Sequence, residues 1–380
     1  MGKKRDRWAS SSSEDEKKKE KKPPVARRRK GPNAADGGSS QVKPSTTQLL
    51  PSLPLHNPLT QGCRSVYDTY DRIGHVSEGT YGVVWKARDL ATDEIVALKQ
   101  IKFAVDVRKE GFPVTALREI NVLLALSHEN IVSVREMVVG KSVEQVYMVM
   151  EFFEFDLKQG LDRYDGALSQ GELKGILQQI LRGLDHMHSK WYLHRDMKTS
   201  NILVHHTGRV ALADFGLARR YEDPLQHLTV PVVTLWYRAP ELLLGETRYG
   251  PAVDVWATGC IFGELIAKDC VLQGEGEIDQ LDQIFTLLGA PNETNWPGYT
   301  KLPHSGILRW KGNKDSTLAE RFPVARPVSS KQAFLDLHGF EMLQAMLQLD
   351  PLQRITAEQA LGHAYFRQGV PPTIPRFFVT

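Results

Sequence analysis

The chain has 380 residues, 41% hydrophobic and 24% charged, which is typical of a globular protein with one large or two smaller cores. No run of eighteen apolar residues occurs, and the opening MGKKRDRW lacks the apolar stretch of a secretory signal, so we expect neither a membrane span nor secretion. The three cysteines are sparse and lack metal-ligand spacing, so we expect free thiols in a reducing compartment.

The first 60 residues differ from the rest in charge. They carry 14 Lys and Arg against 6 Asp and Glu, a balance of +8, whereas the remainder carries 34 against 39, a balance of −5. Because this segment is also rich in proline and poor in apolar residues, residues 1–60 are predicted to form a disordered basic tail. KKKEKK at 17–22 and ARRRKGP at 26–32 indicate a bipartite nuclear-localisation signal; a nucleic-acid contact and a solvated charge run are the alternatives.

From residue 67 onward the hydrophobic pattern predicts ordered structure. YDRIGHV and YGVVWKARD alternate around the turn-like SEGT, and EIVALKQIK, IVSVREMVV and QVYMVMEF continue as strands. Residues 114–127 space apolar side chains three and four apart, which predicts a helix after Pro113. After Asp156 helices are predicted to dominate to about residue 366, apart from short strands around 202–213. The sequence therefore predicts an α+β fold with a small β-rich lobe and a larger α-rich lobe.

Residues 193–201, LHRDMKTSN, combine an acid, a cation and a carboxamide. Asp196 can accept a proton from a hydroxyl nucleophile, and Lys198 can balance the charge of a phosphate. Asn201, together with Asp214 of the DFG that follows, offers oxygen atoms of the kind that Mg²⁺ prefers. This combination indicates transfer of a phosphoryl group.

A second set of motifs lies upstream. SEGTYGVV at 77–84 places two glycines in a turn between strands, where backbone N–H groups can approach phosphates. VALK places Lys99 on a strand, and Glu119 lies on the predicted helix, so the pair could direct the lysine toward phosphates. A surface lysine is the alternative, but the apolar residues before Lys99 favour burial.

The ordered series GTYGVV, VALK, HRDMKTSN, DFG, APE at 239–241 and DVW at 254–256 resembles the eukaryotic protein kinases. The resemblance covers about 67–368 and implies the bilobal protein kinase fold, with an N-lobe at 67–153, a C-lobe at 154–368 and a tail at 369–380. It also implies ATP and Mg²⁺ as cofactors. Ser77 stands at the first glycine position of the phosphate loop, from which we expect altered loop stiffness rather than loss of ATP binding.

Two segments narrow the resemblance to the cyclin-dependent kinases. GFPVTALREIN at 111–121 is similar to their cyclin-binding helix, and GAPNETNWPGY at 289–299 to their C-lobe insert. The PITSLRE type is most similar, with Val–Thr–Ala here in place of its Ile–Thr–Ser. The sequence resembles the mitogen-activated kinases less, because LTVPVVT lacks the Thr and Tyr pair found in the activation loop of that class.

The resemblance thus implies a cyclin-dependent serine/threonine kinase for Ser or Thr followed by Pro. It implies a cyclin bound through residues 111–127, with the L type as candidate, and nuclear protein substrates in cell-cycle control, transcription or pre-mRNA splicing. The expected location is the nucleus, with the cytoplasm second. Two alternatives of another class are a pseudokinase scaffold and a nucleic-acid-binding module that depends on the basic tail alone.

Residue roles follow from the same resemblance. Asp196, Lys198, Lys99 and Glu119 would be catalytic, and Asn201 and Asp214 would hold metal. Phosphate on Thr229 would bind Arg118, Arg195 and Arg219, whereas phosphate on Thr80 or Tyr81 would inhibit. The ATP pocket would comprise Val76, Ser77, Glu78, Gly79, Thr80, Tyr81, Gly82, Val83, Val84, Ala97, Lys99, Met150, Glu151, Phe153, Asp156 and Leu203, with Gln159 at its mouth. Ordinary core or loop positions remain the alternative for several of these.

The remaining expectations concern substrate and support. Val232, Val233 and Arg238 would shape the pocket for the residue after the phosphoacceptor. Glu241 and Arg354 would form a buried bridge, and His194 and Asp254 would brace the catalytic loop. The tryptophans expected in the core are Trp236, Trp256 and Trp296.

Overall fold

The structure is a computed structural model. It describes residues 62–79, 82–103, 112–142, 145–229, 233–306, 315–324 and 332–375. The predicted basic tail at 1–60 and the residues Thr80, Tyr81 and Val232 lie outside the described residues, so the predictions made for them stay predictions.

A six-stranded sheet forms the first lobe, as the alternating pattern predicts. The strand order is β1-β5-β6-β4-β3-β2, and neighbours are antiparallel except for the parallel pair β1–β5. Gly79, the last residue of β2, pairs with Gly82, the first residue of β3. The strands are β1 Arg64–Ser65, β2 Tyr70–Gly79, β3 Gly82–Asp89, β4 Ile95–Ile101, β5 Val134–Val139 and β6 Val146–Glu151.

One helix of twelve residues packs beside this sheet. It spans Val114–Ala125, begins directly after Pro113 and ends before Leu126, whose backbone is extended. Its buried face includes the carboxylate of Glu119, whereas Val114 and Leu124 are exposed. We call it the N-lobe helix; its position confirms the helix predicted over 114–127.

The second lobe is mainly helical and contains most of the buried core. The long helix Gln170–Ser189 begins with a capping box between Ser169 and Glu172, and the central helix Ala252–Ala267 is buried along nearly its whole length because its sequence is almost continuously apolar. The remaining described helices are Val66–Thr69 in the first lobe and Leu157–Arg163, Pro240–Leu243, Glu277–Leu288, Leu318–Arg321, Leu337–Met346, Ala357–Leu361 and Ala364–Arg367 in the second, with 3-10 turns at Thr199–Asn201, Leu235–Tyr237 and Tyr299–Lys301.

Among the described residues, five short strands follow β6 in the chain. β7 (Phe155–Asp156), β9 (Ile202–Val204) and β10 (Val210–Leu212) form a sheet in the order β10-β9-β7. β8 (Tyr192–Leu193) pairs with β11 (Arg219–Arg220). The two-lobed α+β fold that the sequence predicts is thereby confirmed. Among the described residues, no helix has the length and apolar character needed to cross a bilayer.

Two features at the edges of the second lobe were less predictable. The start of the predicted C-terminal tail packs along the long helix, where the Thr373 amide donates to the Gly171 carbonyl at 2.8 Å. Trp256 and Trp296 are buried as expected, but the expectation for Trp236 was wrong, because its side chain is 41% exposed. Its indole Nε1 donates to the Gly274 carbonyl at 3.2 Å, a contact that holds the ring at the surface.

Candidate active site

A cavity of about 960 Å³ lies between the six-stranded sheet and the helical lobe. Its walls come from β2 to β4, from the segment after β6 and from the loop between β8 and β9. It unites most of the predicted site, namely Val76, Ser77, Gly82, Val84, Ala97, Lys99, Glu119, Met150, Glu151, Phe153, Asp156, Gln159, Asp196, Lys198, Asn201, Leu203 and Asp214.

Glu78 and Val83, which belong to the predicted ATP pocket, do not line this cavity. Val83 lies between Gly82 and Val84 on β3, and alternation along a strand sends its side chain to the opposite face. Glu78 is exposed and pairs with Lys102 at 2.9 Å, a contact that lowers the pKa of its carboxyl. Only the backbone of these two residues could therefore contribute to the pocket.

Lys99 and Glu119 meet at the back of the cavity. Lys99 Nζ lies 2.6 Å from Glu119 Oε1, and the two side chains are only 11% and 6% exposed. β4 supplies the lysine and the N-lobe helix supplies the glutamate, so the pair joins two separate elements. The predicted pair is formed, and it fixes an ammonium group in the cavity wall.

Asp196 is the centre of the polar floor. Its Oδ2 accepts from Lys198 Nζ at 2.8 Å and from Asn201 Nδ2 at 3.0 Å, while Oδ1 accepts from the Thr234 hydroxyl at 3.0 Å. Lys198 Nζ also donates to Thr234 Oγ1 at 3.2 Å. Asp196 thus sits among donors that orient its carboxylate toward the cavity, which suits an acceptor for a hydroxyl proton.

Asp214 and Asn201 form the part of the site that fits a cation. Asp214 Oδ1 is buried and has no hydrogen-bond partner among the described residues. Asn201 uses its amide nitrogen to donate to the carbonyl and carboxylate of Asp196, which leaves its amide oxygen available. A buried carboxylate oxygen without a hydrogen-bond partner and an amide oxygen, both from residues that line one cavity, are donors that suit Mg²⁺.

The backbone of this region is held in an unusual conformation. Arg195 and Asp214 have φ values of 67° and 62°, a region that non-glycine residues rarely adopt. Asp254 secures the first of them, because its carboxylate accepts from the amides of His194 at 2.9 Å and Arg195 at 2.8 Å. Burial would raise the pKa of Asp254, but the hydrogen bond and charge of His188 lower it. His194 in turn contacts the Ala213 carbonyl at 3.0 Å, so the predicted bracing roles of His194 and Asp254 are confirmed.

Three arginines lie near one another, and one of them, Arg195, contacts Thr229. Arg195 Nη1 donates to Thr229 Oγ1 at 3.4 Å, and Tyr249 bonds both Arg195 Nη1 and the Thr229 carbonyl. The pKa of Arg219 is lowered to about 10 by burial and by the positive charges of Arg195 and Arg118. The predicted arginine cluster therefore exists, and its like charges repel one another.

Two further sets of predicted residues, those of the substrate pocket and those of the buried bridge, each contain a contact in the structure. Val233 is buried with φ of 68°, and Arg238 Nη2 donates to its carbonyl at 3.1 Å; both residues line the cavity. Glu241 and Arg354 form the predicted buried bridge through bonds of 2.7 and 3.0 Å, with side chains 3% and 0% exposed.

Some cavity residues were missed by sequence reasoning. Lys86 extends over the Phe152 ring at 4.6 Å, and Arg163 over the Phe155 ring at 5.0 Å, at the mouth of the cavity. Neither contact had a local signal, because each joins a cation to an aromatic ring on a different element. Asp156, which was predicted, has its pKa raised by burial against hydrogen bonds from Gln159.

The chain is similar to proteins of a known family. The model of the protein kinase domain matches residues 70–366, which is well over half of the chain. The chain belongs to the protein kinase family. The kinase is 46% identical over 336 residues to human "Cyclin-dependent kinase 11B", covering 88% of this chain and 41% of that protein.

Other relatives agree with this placement. Rice (Oryza sativa subsp. indica) "Cyclin-dependent kinase G-2" is 46% identical over 85% of this chain and 44% of its own length. Rat "Cyclin-dependent kinase 11B" is 44% identical over 88% of this chain and 74% of its own length. The chain spans less than half the length of the human and rice relatives. These relatives confirm the predicted membership among cyclin-dependent kinases of the PITSLRE type.

Proposed function

We propose that the protein is a cyclin-dependent serine/threonine kinase that transfers the γ-phosphoryl group of ATP to protein hydroxyl groups. The observation that carries this proposal is the buried Lys99–Glu119 pair, which faces the same cavity as Asp196, Asn201 and Asp214. A pseudokinase scaffold would not need this complete set of charged groups. All five residues line one cavity, and phosphoryl transfer needs groups of these types close together.

Each of the charged and polar residues of the cavity floor and back wall has a role in the proposed reaction. Lys99, held by Glu119, binds the α- and β-phosphates of ATP, and Asp196 receives the proton of the attacking hydroxyl. Lys198 lies 2.8 Å from Asp196 and balances the charge of the transferred group. Asn201 and Asp214 would hold Mg²⁺, which supplies neutralisation of the triphosphate charge.

The base of ATP would occupy the apolar part of the cavity. Val84 and Ala97 lie on neighbouring strands of the sheet above, and Leu203 lies on β9 below. Met150 and Phe153 lie at the end of β6 and just after it, where backbone groups can bind the edge of the base. Val76, Ser77, Gly82, Glu151, Asp156 and Gln159 also line the cavity.

A cyclin is the proposed partner, bound at the N-lobe helix and the residues before it. Val114 and Leu124 expose apolar surface on this helix, and Glu119 extends from its buried face to Lys99. A partner that presses on this helix would therefore act directly on the Lys99–Glu119 pair. The L type remains the candidate, and a nuclear location follows from the basic clusters of residues 17–32.

Preference for proline after the phosphoacceptor is proposed from the environment of Val233. Its carbonyl oxygen already accepts from Arg238 at 3.1 Å, so it is not free to accept from a substrate backbone N–H. Proline has no such N–H and leaves no donor unpaired. Arg238 Nη1 is itself fixed by Glu277 at 2.6 Å, which keeps this arrangement in place.

Phosphotransfer by the purified chain tests the proposal. Wild-type protein with an L-type cyclin is incubated with ATP, Mg²⁺ and paired peptides that contain Ser-Pro or Ser-Ala, and phosphopeptides are quantified by mass spectrometry. We expect transfer to Ser-Pro that depends on the cyclin and exceeds transfer to Ser-Ala by at least about tenfold, the factor for one unpaired buried donor. Transfer no greater than that of Asp196→Asn under the same conditions would reject the kinase assignment.

A further inference from the structure

Three potential metal ligands meet on the surface beside the segment that joins the lobes. Glu154, His205 and His206 each place one donor atom within 4.8 Å of the others. They come together because β7 and β9 are antiparallel, with Phe155 opposite Val204. The residue before β7 therefore lies next to the residues that follow β9, although about fifty positions separate them in sequence.

The two histidines face the same side, which a regular strand would not allow. Successive side chains of a strand point to opposite faces. Here β9 ends at Val204, and a turn closed by the Gly208 amide, which donates to the His205 carbonyl at 2.8 Å, follows at once. The two imidazole rings consequently lie with centroids 4.0 Å apart.

The carboxylate of Glu154 is fixed in this position. Its Oε2 accepts from the His206 backbone amide at 2.8 Å, and Oε1 lies 3.0 Å from His206 Nδ1. The neighbouring Arg209 pairs with Glu151 and extends over the Phe153 ring, so its positive charge is already compensated. The His206 and Glu154 side chains are 62% and 28% exposed, and an ion can reach them from solvent.

We propose that Glu154, His205 and His206 bind a divalent transition metal ion of the Zn²⁺ class. Two imidazole nitrogens and one carboxylate oxygen are a donor set that Zn²⁺ accepts, with water in the fourth position, whereas Mg²⁺ requires oxygen ligands. The bound ion would replace the His206–Glu154 hydrogen bond by bonds to both groups. This site is separate from Asn201 and Asp214, which offer oxygen atoms alone.

Such an ion would lie next to the cavity that is proposed to hold ATP. Glu154 and Phe153 line the cavity, and the His205 ring contacts the Phe153 ring at 5.9 Å between centroids. Metal at this point would tie the segment between the lobes to the turn that follows β9. Because the unfolded chain does not hold these three groups together, the ion should raise the thermal midpoint of unfolding.

Zinc titration of the full chain, produced without a polyhistidine tag, tests the site. Zn²⁺ affinity is measured by competition with a chromophoric chelator in excess Mg²⁺, which occupies oxygen-only sites. The variants are Glu154→Gln, His205→Asn and His206→Asn. His338→Asn is the matched control, because His338 pairs with Glu341 at 2.9 Å on the surface.

We expect one Zn²⁺ site in the wild-type chain. Its affinity should fall at least about tenfold in each of the three variants, because metal sites lose this much affinity when a ligand or its support is removed. The affinity should be unchanged in the control. The zinc-dependent rise in thermal midpoint should disappear in the same three variants, and midpoints without zinc show that each is folded. Equal affinity in the wild type and all three variants would overturn the proposal, as would an equal loss in His338→Asn.

Discussion

Lys99 Nζ lies 2.6 Å from Glu119 Oε1, and this ion pair joins β4 to the N-lobe helix beside the apolar cluster that contains Ile101 and Ala116. A lysine amine bound to a carboxylate has a defined position, whereas a free lysine side chain samples several rotamers. The arrangement means that any displacement of the helix also displaces the cation that would bind ATP.

Replacing Glu119 by Gln should therefore impair catalysis without removing a catalytic group. The amide keeps the shape but not the charge, and the misplaced lysine should lower kcat/KM by about 10²-fold, the cost of a misplacement near 1 Å. Steady-state kinetics with ATP as the varied substrate measures this. Glu94→Gln is the control, because it removes an exposed ion pair with Arg135 at 2.5 Å and should leave kcat/KM unchanged.

Asp196 and Asp214 should fail in different ways. Asp196→Asn removes the proton acceptor while the floor of the cavity keeps its shape, so ATP should still bind and kcat should fall by about 10²–10⁴-fold. Nucleotide binding measured by fluorescence, together with kcat, separates the two effects. A kcat close to that of the wild type would show that Asp196 does not accept the proton.

Asp214→Asn should instead change the response to magnesium. The substitution removes the negative charge of the carboxylate whose buried oxygen lacks a hydrogen-bond partner among the described residues. The Mg²⁺ concentration at half-maximal activity should therefore rise, and the affinity for ATP should fall. Activity is titrated against Mg²⁺ at fixed ATP for the wild type and the variant. Superimposable titration curves would remove Asp214 from the metal site.

The charged residues of the candidate active site could be predicted from the sequence better than the side chains that line the pocket around them. Lys99, Glu119, Asp196 and Asp214 were found because each lies in a short segment whose residue types are constrained by charge. Val83 illustrates where a linear motif misleads, because it alternates with pocket residues but faces away. The structure was needed to separate the two faces of β3.

Contacts between segments that are distant in the chain could not be predicted from a local sequence pattern. Glu154 and His206 are brought together only by the register of β7 and β9, which neither segment encodes locally. Trp236 was misplaced for a related reason, because its surface position depends on the carbonyl of Gly274. Hydrophobicity alone predicts burial and says nothing of such a partner.

The Glu241–Arg354 bridge should contribute strongly to stability. Arg354 also donates to the Ala252 carbonyl at 2.8 Å and the Gln348 carbonyl at 3.0 Å, so removing Glu241 leaves a buried guanidinium with only neutral acceptors. Glu241→Ala should lower the free energy of unfolding by about 3–5 kcal/mol, measured by urea denaturation. Asp93→Asn, which loses an exposed pair with Arg88, is the control and should cost about 1 kcal/mol or less. A similar loss in both variants would contradict a special role for the buried bridge.

Thr229 should act as the switch that organises the arginine cluster. Arg118 comes from the N-lobe helix, Arg195 from the loop before Asp196, and Arg219 from β11. Burial and the positive charges of Arg195 and Arg118 lower the pKa of Arg219 to about 10. A phosphate on Thr229 brings about −1.5 to −2 charges and three acceptor oxygens, and would hold all three elements in one arrangement.

Cyclin and the Thr229 phosphate should therefore reinforce one another. Both fix the N-lobe helix, so we expect a coupling of about 1–3 kcal/mol between them, which corresponds to about 5–150-fold in cyclin affinity. Cyclin affinity and phosphotransfer are measured for wild type with and without the phosphate and for Thr229→Ala. Arg219→Ala should lose the coupling, whereas Arg220→Ala, its exposed neighbour on β11, should keep it. If Thr229→Ala with cyclin is as active as the phosphorylated wild type, cyclin alone suffices and the cluster has no switching role.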